Sequence, residues 1–302
     1  MIRRAEDYLV RATALGGHVR AFSIRSTGVV SELHERHGTE PAVTAALGRL
    51  ATGTLLFGAM LKERDHLVSV RVAGDGPAGT LLASANGGGE VRGLVANPRT
   101  GVEQVRNGKL DVSGVVGRQG RLTVTRDLGL RHPYVGTVEL ASGEIGDDFA
   151  HYLHSSEQTP SAVGLGVFVD RTGAVVAAGG WLVQLLAGLD DADAAEIEEN
   201  VRSLPHPTAL LRSGYSPDDV LDRIFPEGWT EQARVPVRFH CPCSAERLER
   251  ALLLLGAAEL HAIVEKDREA GRTEVTCEFC THKYYLGTER MEALLAMAEN
   301  RN

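Results

Sequence analysis

Residues 239–247 read Phe239-His240-Cys241-Pro242-Cys243-Ser244-Ala245-Glu246-Arg247, and after 33 intervening residues beyond Cys243 the chain continues Cys277-Glu278-Phe279-Cys280. These are the four cysteines of a 302-residue chain. Random placement rarely yields two close pairs and no singleton. In a reducing compartment, paired thiols read as a metal site or a redox couple before they read as structural disulfides. Four thiolates supply the closed tetrahedral shell that zinc takes in structural sites, and a filled shell leaves no position for a catalytic water. The expectation is one Zn2+ per chain held by Cys241, Cys243, Cys277 and Cys280, and no zinc hydrolase. The 72 residues after Thr230 would scarcely hold together by burial alone, whereas metal binding contributes ~10 to 16 kcal/mol in comparable peptides. The competing reading is a thioredoxin-like thiol-disulfide oxidoreductase. It needs one cysteine pair at a helix N-terminus after a strand, and it leaves the other pair unexplained.

Upstream of the cysteines the composition changes. The net charge of −8 is uneven: residues 1–184 carry +1, residues 185–230 carry −7 and residues 231–302 carry −2. The acid of the middle segment includes Asp190, Asp191, Asp193, Glu196, Glu198 and Glu199, which suits a solvated helix face as well as a functional one. After Gly179-Gly180 the pattern reads as helical through Trp181, Leu182, Leu185, Leu186 and Leu189, then through the acidic stretch with Ile197 and Val201. Pro205, Pro207, Pro217 and Pro226 break the stretch beyond Leu204 into short helices. Few apolar residues are available there to offset the entropy of ordering, so this connector is expected to be marginally stable.

The first half alternates helical and extended signals. A short helix is predicted over Ala5–Ala14, a strand over Gly17–Ser26, and helices over Thr27–Glu35 and Pro41–Lys62. Strand signals come next at Leu67–Val72, Thr80–Ala83, Glu90–Ala96, Arg121–Thr125, Val135–Leu140, Gly164–Val169 and Ala174–Ala178, with a helix at Ile145–Ser155. Residues 114–120 (Gly114-Val115-Val116-Gly117-Arg118-Gln119-Gly120) have neither the dinucleotide fingerprint nor the P-loop Lys-Ser/Thr, and read as hairpin turns. Beyond Ser244 the pattern gives two helices, a β-hairpin around the second cysteine pair and a closing helix. The fold class is therefore α+β: an N-terminal, mostly antiparallel sheet domain with helices over 1–180, an acidic metastable helical linker over 181–230, and a small zinc-binding domain over 231–302.

Composition excludes several classes. With 43% apolar and 24% charged residues the chain is of globular type. No run approaches the ~20 apolar residues of a membrane span, and the early charges interrupt any signal-peptide core, so a cytoplasmic location is expected. The 28 arginines and 4 lysines are scattered without a stripe, which speaks against direct nucleic-acid binding and hence against a zinc-ribbon module for DNA or RNA. There is no G-x-S-x-G and no H-E-x-x-H, and no catalytic residue is assigned.

The cysteine spacing also bears on redox behaviour. Should an oxidant displace the metal, the nearest partners along the chain are Cys241 with Cys243 and Cys277 with Cys280. Loops of three or four residues give each bond roughly 1.5 to 2 kcal/mol by chain entropy, well short of the zinc contribution. Oxidation is then expected to unfold the C-terminal domain and loosen the connector, a constitutive structural zinc being the alternative that the same arithmetic leaves open.

The residues around both cysteine pairs, with Tyr284, resemble the zinc module of the redox-regulated 33-kDa heat-shock chaperonin family, the HslO holdases. Gly74-Asp75-Gly76-Pro77, Tyr152 with Ser156-Glu157-Gln158, and Ala178-Gly179-Gly180 with Gln184 match further landmarks in the same order. The resemblance implies an ATP-independent holdase, not an enzyme, that is zinc-bound and inactive when reduced. It implies activation by peroxide with mild heat or by hypochlorous acid, through the two local disulfides, zinc release and unfolding of linker and switch. It further implies homodimerisation of the active form and binding of unfolding client proteins. The client-binding candidates are Trp181, Leu182, Leu185, Leu186, Leu189 and Ile197, an apolar set beside acid that would keep the opened form soluble.

Overall fold

Pro41–Gly58 is apolar on almost every side, and a helix of that kind has to be surrounded by protein. In the computed structural model, which describes residues 6–102, 104–106 and 109–300, 16 of its 18 residues are buried. The hydroxyls inside it are satisfied by the helix itself: Thr52 donates to the Gly48 carbonyl and Thr54 to the Leu50 carbonyl, each at 2.7 Å. The chain divides into two compact units between His240 and Cys241.

In chain order the first unit holds β1 (Tyr8–Ala14), β2 (Val19–Arg25), α1 (Thr27–His37), α2 (Pro41–Gly58), β3 (Leu67–Gly74), β4 (Thr80–Asn86) and β5 (Glu90–Val95). The short β6 (Val105–Arg106), β7 (Lys109–Leu110) and α3 (Val112–Val116) come next, then β8 (Gly120–Asp127), β9 (Tyr134–Glu139), α4 (Gly146–Ser155), β10 (Ser161–Val169) and β11 (Val175–Leu185). Three helices, α5 (Asp191–Ser203), α6 (Pro207–Arg212) and α7 (Pro217–Ile224), precede β12 (Thr230–Pro236) and β13 (Arg238–Phe239). The second unit holds α8 (Ala245–Leu253), α9 (Ala257–Asp267), the hairpin β14 (Arg272–Thr276) and β15 (Lys283–Gly287), and α10 (Thr288–Glu299).

The first unit is built on two sheets, ordered β10-β11-β2-β1-β12 and β13-β5-β4-β3-β8-β9. Their pairings are antiparallel except for β13 beside β5, in line with the α+β, mostly antiparallel expectation. Helix α2 packs on strands of both sheets, and its Leu47, Leu50 and Leu56 sit in one interior cluster with Leu9, Leu81, Phe149 and Leu182. The other face of the first sheet carries Val10, Ala12, Val19, Ala21, Trp181 and Val183, which form a second cluster with Ile197 of α5, Leu210 of α6 and Val220, Leu221 and Ile224 of α7.

Three expectations are corrected. Of the helix predicted over Ala5–Ala14, Ala5 lies outside the described residues and Tyr8–Ala14 form the strand β1. Leu9 packs inward while Val10, Ala12 and Ala14 face the second cluster, and a strand apolar on both faces loses the two-residue alternation that would identify it. The helix predicted from Trp181 is the second half of β11, and Gly179-Gly180 lie inside that strand. A Cβ at Gly179 would run into the Ile24 carbonyl oxygen and one at Gly180 into the Gly164 carbonyl oxygen, so these glycines mark close backbone approach rather than a break. Residues 112–116 form a short helix capped by Asp111, which accepts from the Gly114 amide at 3.0 Å, where hairpin turns were expected. Strand β11 runs past residue 180, and β12 pairs with β1 as an edge strand of the first sheet. Proline-broken α5–α7 are helical as expected, and the acid of α5 faces outward with Ile197 as its buried residue.

Candidate metal centre

Each cysteine pair is set by ordinary local structure. Cys241 and Cys243 lie in the segment that leads into α8, where Ser244 Oγ caps the helix by accepting from the Arg247 amide at 3.3 Å. Cys277 and Cys280 occupy the turn between β14 and β15. There the Cys277 amide donates to the His282 carbonyl at 2.9 Å and the Thr281 amide to the Cys277 carbonyl at 2.7 Å. Thr281 takes a left-handed conformation (φ 60°) to close that turn. The hairpin register, Thr276 opposite Lys283 and Val275 opposite Tyr284, fixes the turn at these residues.

The four sulfurs converge, all lying within 4.8 Å of one another. Cys241 Sγ is 3.8 Å from Cys277 Sγ, and Cys243 Sγ is 3.3 Å from Cys280 Sγ. Each pair of the chain thus faces the other pair across the site. Cys277 and Cys280 are buried and Cys241 and Cys243 partly exposed. Burial, reinforced by neighbouring thiols, pushes the Cys280 thiol far above its ordinary range. Several ionised sulfurs cannot share such a space without a compensating cation, so this arrangement could hold a metal ion.

The rest of the second unit is thinly supported. Its buried apolar cluster consists of Leu252, Leu260, Val264, Leu286, Met291, Leu294 and Ala298. Arg290 of α10 adds a fork onto Glu249 of α8, at 2.8 and 2.5 Å. Tyr284 was legible only as a landmark beside the cysteines. Its hydroxyl donates to Cys243 Sγ at 3.2 Å, and that hydrogen bond pushes its own pKa up to about 12. No spacing rule announces such a contact.

The client-binding candidates do not form one surface. Trp181 and Ile197 are buried in the cluster beneath α5–α7, with Leu185 and Leu189 packed against its edge. Leu186 lines a groove with Leu185, Leu189, Gln158, Pro160 and Ala194. Leu182 points the other way, into the interior around α2. The C-x-x-C pair, Cys277 and Cys280, sits in a hairpin turn and not at a helix N-terminus, whereas Cys241 and Cys243 follow β13 and lead into α8.

Known proteins share this architecture and sequence. The model of the family described as Hsp33 protein matches residues 7–286. The 33 kDa chaperonin of Bacillus subtilis is 46% identical over 288 residues, covering 95% of this chain and 98% of its own length. That of Desulforamulus reducens is 45% identical over 303 residues, 98% of this chain and all of its own length. The crystal structure of the Thermotoga maritima 33 kDa chaperonin, a heat shock protein 33 homologue, superposes with a TM-score of 0.88 at 35% identity, covering 98% of this chain and 100% of that one. With a family model spanning nearly its whole length and close relatives matched end to end, the chain belongs to the Hsp33 family.

Proposed function

We propose that this protein is an ATP-independent holdase, held inactive by a zinc ion while reduced and switched on by oxidation of the thiols that bind it. The observation that carries the reading is the convergence of Cys241, Cys243, Cys277 and Cys280 within 4.8 Å. Four thiolates are the donor set of a closed structural zinc site, and Cys241, Cys243, Cys277 and Cys280, with Cys241–Cys277 and Cys243–Cys280 sulfur separations of 3.8 and 3.3 Å, would hold the ion. When bound, the ion neutralises the thiolates and ties the α8 segment to the β14–β15 hairpin. The small apolar cluster of this unit makes its folding depend on that tie.

Oxidation consumes the ligands. Once the α8 segment and the hairpin separate, the cysteines nearest along the chain pair most readily, Cys241 with Cys243 and Cys277 with Cys280. The strands β12 and β13, which connect α7 to Cys241 in the chain, pair with β1 and β5, and these pairings have to yield for loss of order in the second unit to reach α5–α7. Helices α5–α7 carry the excess acid and are the elements to be released. Their departure uncovers Val10, Ala12, Val19, Ala21, Trp181 and Val183 on the first sheet, and frees Leu185, Leu189 and Ile197. This apolar face, rather than the linear set from Trp181 to Leu189, is the proposed client surface, and Leu182 is not part of it. The linker is thus α5–α7, the clients are unfolding proteins, the active form is a homodimer, and the setting is the cytoplasm. Among the described residues no helix is long and apolar enough to cross a membrane.

The test removes one ligand. Cys277→Ser is expected to lose the metal, lose the helical circular dichroism of α8–α10, and suppress client aggregation in reducing buffer. A Cys277→Ser protein that keeps a folded second unit without metal would contradict the account.

A further inference from the structure

Tyr284 stands on β15, opposite Val275 and four residues past Cys280, yet its hydroxyl reaches a sulfur of the other cysteine pair, donating to Cys243 Sγ at 3.2 Å. Two features hold it there. The hairpin register sets the backbone, and the His282 ring meets the tyrosine ring nearly edge-on, with centroids 4.6 Å apart and planes at 75°. The neighbouring Tyr285 is half-exposed and packs under the Arg272 guanidinium. The hydroxyl of Tyr284 therefore has a specific partner, and that partner belongs to the more open of the two cysteine pairs.

Accessibility alone would have peroxide consume Cys241 and Cys243 ahead of the buried Cys277 and Cys280. We propose that the Tyr284 hydroxyl is a brake on that reaction, a positioning residue that lowers the nucleophilicity of the Cys243 sulfur. The inference rests on the zinc–thiolate reading above. A hydrogen bond to an anionic acceptor is charge-assisted, and it draws electron density from the sulfur. A thiolate's reactivity toward an electrophile falls as its basicity falls.

In the step concerned, a lone pair of Cys243 Sγ attacks one oxygen of hydrogen peroxide and the O–O bond breaks. The departing hydroxide takes a proton from solvent and leaves as water, and a sulfenic acid remains on Cys243. Once the site has opened and Cys243 no longer faces Cys280, the thiolate of Cys241 attacks that sulfur and expels hydroxide, which is also protonated to water, and the S–S bond forms. Two electrons pass from the two sulfurs to one peroxide, giving one disulfide and two waters. Tyr284 keeps its proton throughout. Its contribution is greatest on the electron-rich thiolate and is lost as the sulfur gives up charge, so it raises the barrier of the first step.

The test uses zinc-loaded full-length protein as wild type, Tyr284→Phe and Tyr285→Phe. Samples are treated with peroxide for timed intervals and quenched, and the remaining thiols are alkylated under denaturing conditions. Fragmentation of the tryptic peptide 239–247 resolves Cys243 from Cys241, and a chromogenic chelator tracks zinc release in parallel. Tyr284→Phe is expected to keep one zinc per chain and to lose the Cys243 thiol about three- to tenfold faster, the effect of weakening one charge-assisted hydrogen bond. Tyr285→Phe should react at the wild-type rate. Cobalt-loaded protein supplies a second readout: removal of the hydroxyl moves the sulfur-to-cobalt charge-transfer band to lower energy, which a change of packing alone would not do. Equal Cys243 rates in wild type and Tyr284→Phe, or an unmoved band, overturns the proposal. Wild-type protein that binds no metal overturns both this inference and the reading beneath it. An accelerated Tyr284→Phe in a protein that never protects a client sustains the brake and overturns the holdase alone.

Discussion

Trp181 and Leu182 are consecutive in β11 and belong to different cores. The Trp181 indole lies under α5–α7 with Ile197, Leu210 and Leu221, while Leu182 is buried around α2. Successive strand residues point to opposite faces, so one strand serves both the interior around α2 and the cluster beneath α5–α7. Gly164, directly opposite Trp181 on β10, leaves room for the indole; a Cβ there would strike the ring.

The two positions should respond differently to truncation. Leu182→Ala removes an interior side chain and is expected to cost ~2–5 kcal/mol of global stability, seen as a lower Tm of the first unit. Trp181→Ala instead weakens the seat of α5–α7. It should increase binding of a hydrophobic dye by the reduced, zinc-loaded protein while leaving zinc content at one per chain. Dye binding raised by Leu182→Ala and not by Trp181→Ala would contradict the assignment of faces.

A polar clasp holds α7. Asp218, in its first turn, accepts from the Tyr8 hydroxyl at 2.7 Å and from Arg234 Nη1 of β12 at 3.1 Å, and Arg234 also pairs with Glu231. The Arg234 guanidinium holds the Asp218 carboxyl below the usual carboxylate range. A carboxyl depressed in the folded state contributes stability above its unfolded pKa, and that contribution is lost as pH falls through the folded value. Below about pH 4, amide exchange in residues 217–224 should therefore accelerate before that of α2. Asp218→Asn should reproduce the acceleration at neutral pH, at a cost of roughly 1 kcal/mol because the clasp is partly solvated. Unchanged exchange in 217–224 would show that the clasp does not hold the helix.

What each residue faces decides how far the chain could be read in advance. Helix α2 was legible because a long apolar run opened by Pro41 has few alternatives to a buried helix, and the second unit was legible because two helices flank a hairpin whose turn carries cysteines. Strands β1 and β11 were misread for one reason: Leu9 and Leu182 face one core while Val10 and Trp181 face another, and covering both faces erases alternation. The clustering of the four cysteines was evident from their spacing alone. The clasp at Asp218 and the Tyr284–Cys243 contact join residues 210 and 41 positions apart, and no local pattern announces either.

Oxidised protein provides a check on pairing. In the folded site Cys241 faces Cys277 and Cys243 faces Cys280, so oxidation without unfolding would yield bonds between the two pairs. Release of the metal with unfolding should instead give Cys241–Cys243 and Cys277–Cys280. Non-reducing peptide mapping after peroxide treatment at mildly raised temperature distinguishes the two, and predominant Cys241–Cys277 or Cys243–Cys280 links would contradict unfolding as part of activation.

The central claim is that one metal-bound thiol cluster governs client binding. The most direct measurement records bound zinc, free thiols and suppression of a thermally unfolding client's aggregation in the same wild-type sample, before and after peroxide treatment. The account predicts one zinc, four thiols and little protection in the reduced sample, and no zinc, no thiols and strong protection without ATP in the oxidised one. Full protection by the reduced, zinc-loaded protein would contradict it.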